Sequence, residues 1–295
     1  MENIIVCSLC ETENPQEHRF CHYCGTPIKK GLERQLSRQE AHKLLELSFA
    51  FEINNLVKEA IKAYSAILET CPNYADVHFK LGNALEADGQ IAKAIAEYQA
   101  AIRINPNYVD AHRKLGETYM DEGLLEEAKL EFNKVINTKV QYRFADVHNN
   151  LGVAHEKSGE YEEAINFYKS AIEINPRYAK ARFNLGNVYS TLEQYEKAVE
   201  QYQKGLETYS RDALCYNNLG IALANLGKLE ESIEAFRKSI ELRPDYWNAH
   251  HNLATAYMEV GNNDEALSVV KNALEKNPEN EEFKEMLENI ETAAT

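Results

Sequence analysis

At a shift of about 34 residues this sequence matches itself along most of its length, and no other feature restricts its fold so tightly. Units begin at Ala41, Ala75, Val109, Ala145, Ala179, Ala213 and Trp247, evenly spaced except for a slightly longer third step. The seventh place is always leucine: Leu47, Leu81, Leu115, Leu151, Leu185, Leu219 and Leu253. The eighth is small, as Ser48, Gly82, Gly116, Gly152, Gly186, Gly220 and Ala254. The twentieth is small too, from Ala60 and Ala94 to Ser232 and Ala266. The twenty-fourth is Tyr64, Tyr98, Phe132, Tyr168, Tyr202, Phe236 and finally Val270.

Two antiparallel helices approach closely only where side chains are small, and leucine and an aromatic ring fill the space beside such a contact. Glycines in mid-unit, such as Gly89 and Gly227, suit a turn between two helices. Pro72, Pro106, Pro176, Pro244 and Pro278 close five units, where a helix must stop. A lone hairpin cannot bury its apolar face, so neighbouring units must cover one another.

This pattern resembles the tetratricopeptide repeat, whose unit reads W-x2-L-G-x2-Y…A-x3-F…P over about 34 residues. The resemblance spans residues 41–280. It implies an all-α fold, a right-handed superhelical solenoid of seven helix-turn-helix repeats at 41–74, 75–108, 109–144, 145–178, 179–212, 213–246 and 247–280. Residues 281–295 are expected to form a capping helix and tail, with Phe283, Met286, Leu287 and Ile290 on one face. The insertion that runs through Thr138 to Arg143 lacks a proline and is expected to lengthen a helix or loop. The fifth repeat departs from the pattern with Glu193 at the glycine place and Ser210 at the proline place.

A second module precedes the repeats. Cys7, Cys10, Cys21 and Cys24 form C-x2-C-x10-C-x2-C, a spacing that presents four thiolates to one tetrahedral Zn2+. Residues 1–28 are therefore expected to form a zinc ribbon, with the metal structural because four protein ligands leave no open position. A redox dithiol and a disulfide pair are the other readings of four such cysteines. His18 and His22 are read as bystanders. Residues 29–40 form a linker that ends in a capping box, Ser37-Arg38-Gln39-Glu40. Zinc thiolates beside the isolated Cys71 and Cys215 point to a reducing, cytoplasmic setting.

The net charge of −15 argues against nucleic acid as a partner, since phosphate neutralisation needs a basic patch. No apolar run approaches the length of about 18 residues that a membrane span requires. No phosphate loop, Gly-x-Ser-x-Gly or His-Glu-x-x-His is present, so no enzyme activity is expected. His78, His112, His148 and His250 share the fourth place of their units and are read as packing or surface residues rather than ligands. Nothing in the sequence marks an oligomeric state.

In tetratricopeptide proteins the first helix of each unit lines the concave face, and the resemblance implies that its second, fifth, sixth, ninth, twelfth and thirteenth places point into the groove. Four consecutive units carry asparagine at the sixth place: Asn150, Asn184, Asn218 and Asn252. Asn149, Asn187, Asn217 and Asn248 occupy other groove places. A carboxamide both donates and accepts, so a row of them suits the backbone of an extended peptide. The row resembles the asparagine ladder in the repeat domain of O-linked N-acetylglucosamine transferases. In the first three repeats the groove places carry mixed charge instead, including Glu86, Asp110 and Glu117 against Arg113 and Lys114. The expected function is a protein-binding scaffold that holds an extended segment in this groove. The alternative is a non-catalytic regulatory or substrate-recruiting subunit of an enzyme, as in a glycosyltransferase-like system.

Overall fold

The computed structural model describes residues 4–6, 13–15, 44–45, 51, 56–138 and 144–293. The chain divides into two compact units, Met1–Gln141 and Tyr142–Thr295. The first unit holds an antiparallel pair of short strands, β1 (Ile4–Val6) and β2 (Glu13–Pro15), in the register Ile5↔Asn14. It continues with α1 (Val57–Thr70), α2 (Ala75–Ala87), α3 (Ile91–Ile104), α4 (Val109–Asp121) and α5 (Leu125–Ile136). The second unit is helical throughout its described residues. It comprises α6 (Ala145–Lys157), α7 (Tyr161–Ile174), α8 (Ala179–Thr191), α9 (Tyr195–Thr208), α10 (Ala213–Asn225), α11 (Leu229–Leu242), α12 (Trp247–Glu259), α13 (Asn263–Lys276) and α14 (Glu281–Ala293).

From α2 to α13 these helices pair into six hairpins, whose first helices begin at Ala75, Val109, Ala145, Ala179, Ala213 and Trp247. Of the earliest repeat, α1 supplies the second helix, while Leu44, Leu45 and Phe51 pack against the first apolar cluster. The other residues of its first helix, the linker and the capping box lie outside the described residues, as do Cys7, Cys10, Cys21 and Cys24. The last helix, α14, buries Phe283 and Ile290 against the hairpin of α12 and α13.

The invariant small residue is explained by a ring. A Cβ added to Gly186 would lie 2.6 Å from Tyr202, and one added to Gly116 would lie 2.7 Å from Phe132. The ring of the second helix therefore lies directly on the backbone of the first, and only glycine leaves it room. Two serines extend the same economy. Ser232 donates to the Gly220 carbonyl at 2.8 Å and Ser239 to the Ala213 carbonyl at 2.7 Å, so each buried hydroxyl is satisfied.

Each hairpin turns through a Schellman-type bond, for example Lys228 N–H to the Leu223 carbonyl at 3.0 Å. Gly227 supplies the left-handed residue there, with φ of 72°. At the fifth repeat Glu193 adopts the same conformation, φ 56°, and Gln194 N–H still reaches the Tyr189 carbonyl at 2.8 Å. The turn is thus enforced by the packing of the hairpin despite a side chain that disfavours it. The junction that lacks proline after Ser210 is closed another way: Asp212 caps α10 by accepting from Cys215 N–H at 2.8 Å. The insertion does not extend α5, which stops at Ile136 and closes with Thr138 N–H on the Val135 carbonyl at 3.1 Å. The boundary between the two compact units falls within the insertion, at Gln141 and Tyr142.

Three of the fourth-place histidines, His78, His112 and His250, have a role that their spacing did not reveal, whereas the buried Nδ1 of His148 meets no hydrogen-bond partner among the described residues. His78 Nε2 lies 2.9 Å from the carbonyl of Pro72, which ends the preceding repeat, and its Nδ1 lies 2.6 Å from Glu97 on the following helix. His112 repeats this with Pro106 and Glu131, and His250 reaches the Pro244 carbonyl at 3.0 Å. Arg182 makes the same link to Pro176 at 3.1 Å. Each side chain latches its own hairpin to the carbonyl that closes the previous one, a group no helix can satisfy.

Candidate peptide-binding face

The asparagine row lies wholly in the second unit, on α6, α8, α10 and α12. The fifth-place residues Asn149 and Asn217 are 0% and 3% exposed, so they sit in the packed layer between repeats and not on an open surface. Each acts as a bracket. Asn184 donates to Asn149 Oδ1 at 2.9 Å, and Asn252 donates to Asn217 Oδ1 at the same distance. The bracket residues in turn lean on their neighbours, with Asn149 Nδ2 3.4 Å from Asn150 Oδ1 and Asn217 Nδ2 3.4 Å from Asn218 Oδ1. Asn150, Asn184, Asn218 and Asn252 remain partly exposed, and Asn248 is exposed beside them.

Asn187 is the most constrained member. Its Oδ1 accepts from Tyr202 Oη at 2.8 Å and from Asn218 Nδ2 at 3.0 Å. Both lone pairs of that oxygen are then in use, so the amide nitrogen is held with its two N–H groups pointing away from them. A recess of about 260 Å³ opens here, lined by Asn187, Ser190, Thr191, Tyr202, Asn218 and Ile221. Its walls are neutral and rich in donors and acceptors. Burial raises the Tyr202 phenol above its usual range, so it stays a protonated donor.

The sequence pattern marks Tyr202 only as a packing ring and does not single out Ser190 or Thr191. A signal for Tyr202 existed. Tyrosine at the twenty-fourth place follows asparagine at the ninth in two repeats, Asn83 with Tyr98 and Asn187 with Tyr202, and both pairs are hydrogen-bonded, at 2.9 and 2.8 Å. Where that asparagine is absent the tyrosine finds another acceptor, as Tyr168 does on Glu156. Burial raises the Glu156 carboxyl above the usual range, and the Tyr168 hydroxyl offsets this in part.

In the first unit the charged groove residues satisfy one another. Glu86 accepts from Lys114 at 2.7 Å and from Thr118 at 3.0 Å, with Tyr98 Oη 3.3 Å away. Arg113 spans Asp110 at 3.3 Å and Glu117 at 3.8 Å. Asp76 accepts from Tyr108 at 2.6 Å, across consecutive hairpins. The contacts of Glu86 and Asp76 tie one hairpin to the next, whereas those of Arg113 lie within α4.

Sequence models described as tetratricopeptide repeat match residues 143–211, 213–246, and both 63–96 and 235–268. A model described as TPR repeat matches residues 87–123. No curated protein matches the sequence. Among solved structures, a crystal structure of MamA is 30% identical with a TM-score of 0.52, over 56% of this chain and 95% of that one. The crystal structure of YrrB, described as a TPR protein with an unusual peptide-binding site, is 23% identical with a TM-score of 0.55, over 65% of this chain and 98% of that one. A tetratricopeptide repeat protein from Parabacteroides merdae shares the fold at 16% identity, with a TM-score of 0.62 over 85% of this chain and 99% of that one. Among the described residues no helix is long and apolar enough to cross a membrane. With the repeat matched across 63–123, 143–211 and 213–268, and hairpin after hairpin closed by a ring on a small residue, the chain belongs to the tetratricopeptide repeat family, whose stacked hairpins act as protein–protein interaction scaffolds.

Proposed function

We propose that the second unit holds an extended segment of a partner protein by its backbone, along the row Asn150, Asn184, Asn187, Asn218 and Asn252. Asn149 and Asn217 act beneath the row and set the direction of its amides. The observation that carries this reading is the double occupation of Asn187 Oδ1 by Tyr202 and Asn218. It leaves two fixed N–H donors for a backbone carbonyl. Asn184 and Asn252 each spend a donor on their bracket and keep Oδ1 for a backbone N–H. Amides held in place before binding lose little freedom on binding, which raises affinity. The YrrB structure, of the same fold, is described as having a peptide-binding site, in keeping with such a use of the hairpin stack.

The test is affinity capture from a lysate with the wild-type chain and with Asn150, Asn184, Asn218 and Asn252 all changed to alanine. Cross-linking then locates the captured segment. Binding by the row requires loss of capture in the quadruple variant. Asn187→Asp is the sharper probe, because it keeps the acceptor for Tyr202 and Asn218 but replaces the outward donors with a carboxylate oxygen. Undiminished capture by both variants defeats the proposal. One recurring catalytic partner among the captured proteins identifies a recruiting subunit, and diverse partners identify a general adaptor.

We also infer a structural zinc site at Cys7, Cys10, Cys21 and Cys24. The antiparallel strands β1 and β2 flank in sequence the stretch 7–12, which contains Cys7 and Cys10. A paired strand on each side suits a two-residue gap that presents two sulfurs to one ion.

A further inference from the structure

Three carboxylates at the carboxy-terminal end of the second unit, Glu259, Glu282 and Glu285, stand around one recess. Between α12 and α14 lies a recess of about 610 Å³. Its apolar lining includes Met258 and Met286, both partly buried and packed on the last apolar cluster. Around them stand the exposed carboxylates of Glu259, Glu282 and Glu285. Among the described residues no lysine or arginine pairs with any of the three. The nearby Lys284 is held by Glu281 at 2.9 Å and Glu279 at 3.9 Å, and Lys271 lies 3.8 Å from Glu291. By contrast Glu86 and Glu117, at groove places of the first unit, both meet Lys114 or Arg113.

Three negative charges around an apolar surface make the local potential more negative and attract a cation of complementary shape. That cation is a side chain rather than a metal ion, since no group of His, Cys, Asp or Glu among the described residues is arranged to hold one. Methionine is unbranched and polarizable, so a surface of two methionines adapts to an aliphatic anchor. We propose that this recess docks a segment of a partner protein carrying lysine or arginine on either side of a leucine or methionine anchor. The anchor rests on Met258 and Met286, and the flanking cations reach Glu259, Glu282 and Glu285. The recess reads side chains, whereas the amide row reads backbone, so the two proposals stand or fall separately.

The probe is a fluorescein-labelled peptide of sequence Gly-Lys-Arg-Leu-Leu-Lys-Arg-Gly, titrated with the full chain and followed by fluorescence anisotropy. A second peptide has both leucines replaced by glycine. Three proteins are compared: wild type, Glu282→Lys with Glu285→Lys, and a control of equal net charge, Glu230→Lys with Glu234→Lys on the exposed side of α11. The recess predicts binding by wild type, at least about tenfold weakening in the first variant, and a change of less than about twofold in the control. Removing the leucines weakens binding by about tenfold as well, because the apolar contact is lost. Glu259→Gln on α12 provides a second variant should the double reversal disturb α14, with circular dichroism as the check, and it too must weaken binding. Equal weakening by both charge-reversed proteins shows only attraction to an acidic chain and overturns the proposal. So does equal binding of the leucine-free peptide, or no binding by wild type.

Discussion

Asn252 donates to Asn217 Oδ1 across 2.9 Å from one repeat to the next, and Asn184 makes the same contact with Asn149. In each pair the acceptor is buried and the donor half-exposed. The contact is therefore both a structural tie and the means by which the exposed amide is aimed.

The tie should be measurable. Asn217→Ala is expected to cost about 1–2 kcal/mol, through loss of the bond and of packing at a buried site. Hydrogen exchange should quicken at the contact between α10 and α12 before it does elsewhere in the unit. Combining it with Asn252→Ala should cost less than the sum of the single changes, since both remove the same bond. Strict additivity in denaturant unfolding would show that the two amides are energetically independent.

Two glycines should fail for different reasons. Gly186→Ala places a Cβ 2.6 Å from Tyr202 and is expected to cost about 1–3 kcal/mol by overpacking. Changing Tyr202 to leucine as well should recover part of that loss. Gly227→Ala meets nothing within 4 Å but must hold φ near 72°, at a cost of about 1 kcal/mol that no second substitution nearby recovers.

Glu193 offers the reverse experiment. Its φ of 56° is a strained one for a residue with a Cβ, at a turn where the other described hairpins use glycine. Glu193→Gly is expected to stabilise the second unit by about 0.5–1 kcal/mol, the relief of strain exceeding the added freedom of the unfolded chain. A lower melting temperature in the variant would mean that the Glu193 side chain contributes contacts that outweigh the strain.

The fourth-place histidines should give the two units opposite responses to pH. Burial acts to lower the pKa of His78, but the Glu97 carboxylate and the Pro72 carbonyl outweigh it and raise the pKa above the ordinary 6.5. The folded state then binds the proton more tightly, so this contribution is complete below 6.5 and is lost as pH rises through the folded value. His148 and His250 lie below 6.5 because burial dominates, with Asp146 and the Pro244 carbonyl offsetting it only in part. Their contribution is present above 6.5 and is lost as pH falls from there towards the folded value. Hydrogen exchange, corrected for the intrinsic rate, should show α2 and α3 gaining protection on acidification from about pH 8 to about pH 5.5, while α12 loses it. Replacing His78 with asparagine should abolish the gain around α2. The same trend in both units would contradict this assignment.

The cysteine module predicts about one zinc per chain in reduced protein, by atomic absorption. Cys21→Ser should lower that ratio while leaving the helical circular dichroism of the repeats intact, since each repeat leans only on its neighbours. Full helicity with no bound metal would point instead to the redox or disulfide reading of the four thiols.

Much of the fold was legible because a hairpin of this kind is made from contacts within one repeat length and repeats them. The leucine, the small residue and the ring recur at fixed places, so each place exposes the packing demand it answers. The turn at Glu193 was legible only as a departure. Whether the chain would keep the turn or lose it depended on the stacking of α8 and α9, and the backbone bond at Gln194 is kept. The latch at His78 left no local trace, because its acceptor is a main-chain carbonyl that looks alike in every sequence.

Sequence alone determined the helical hairpins and the asparagines that would stand along one set of helices. Tertiary structure decided which of those asparagines are buried, which atom of each is already engaged, and which carboxylates go without a cation. Periodicity reports where a residue sits on its helix. The hydrogen bonds that join Asn149 to Asn184, Asn187 to Asn218 and Asn217 to Asn252 link side chains 31 to 35 residues apart, and these partners meet only once neighbouring repeats have packed.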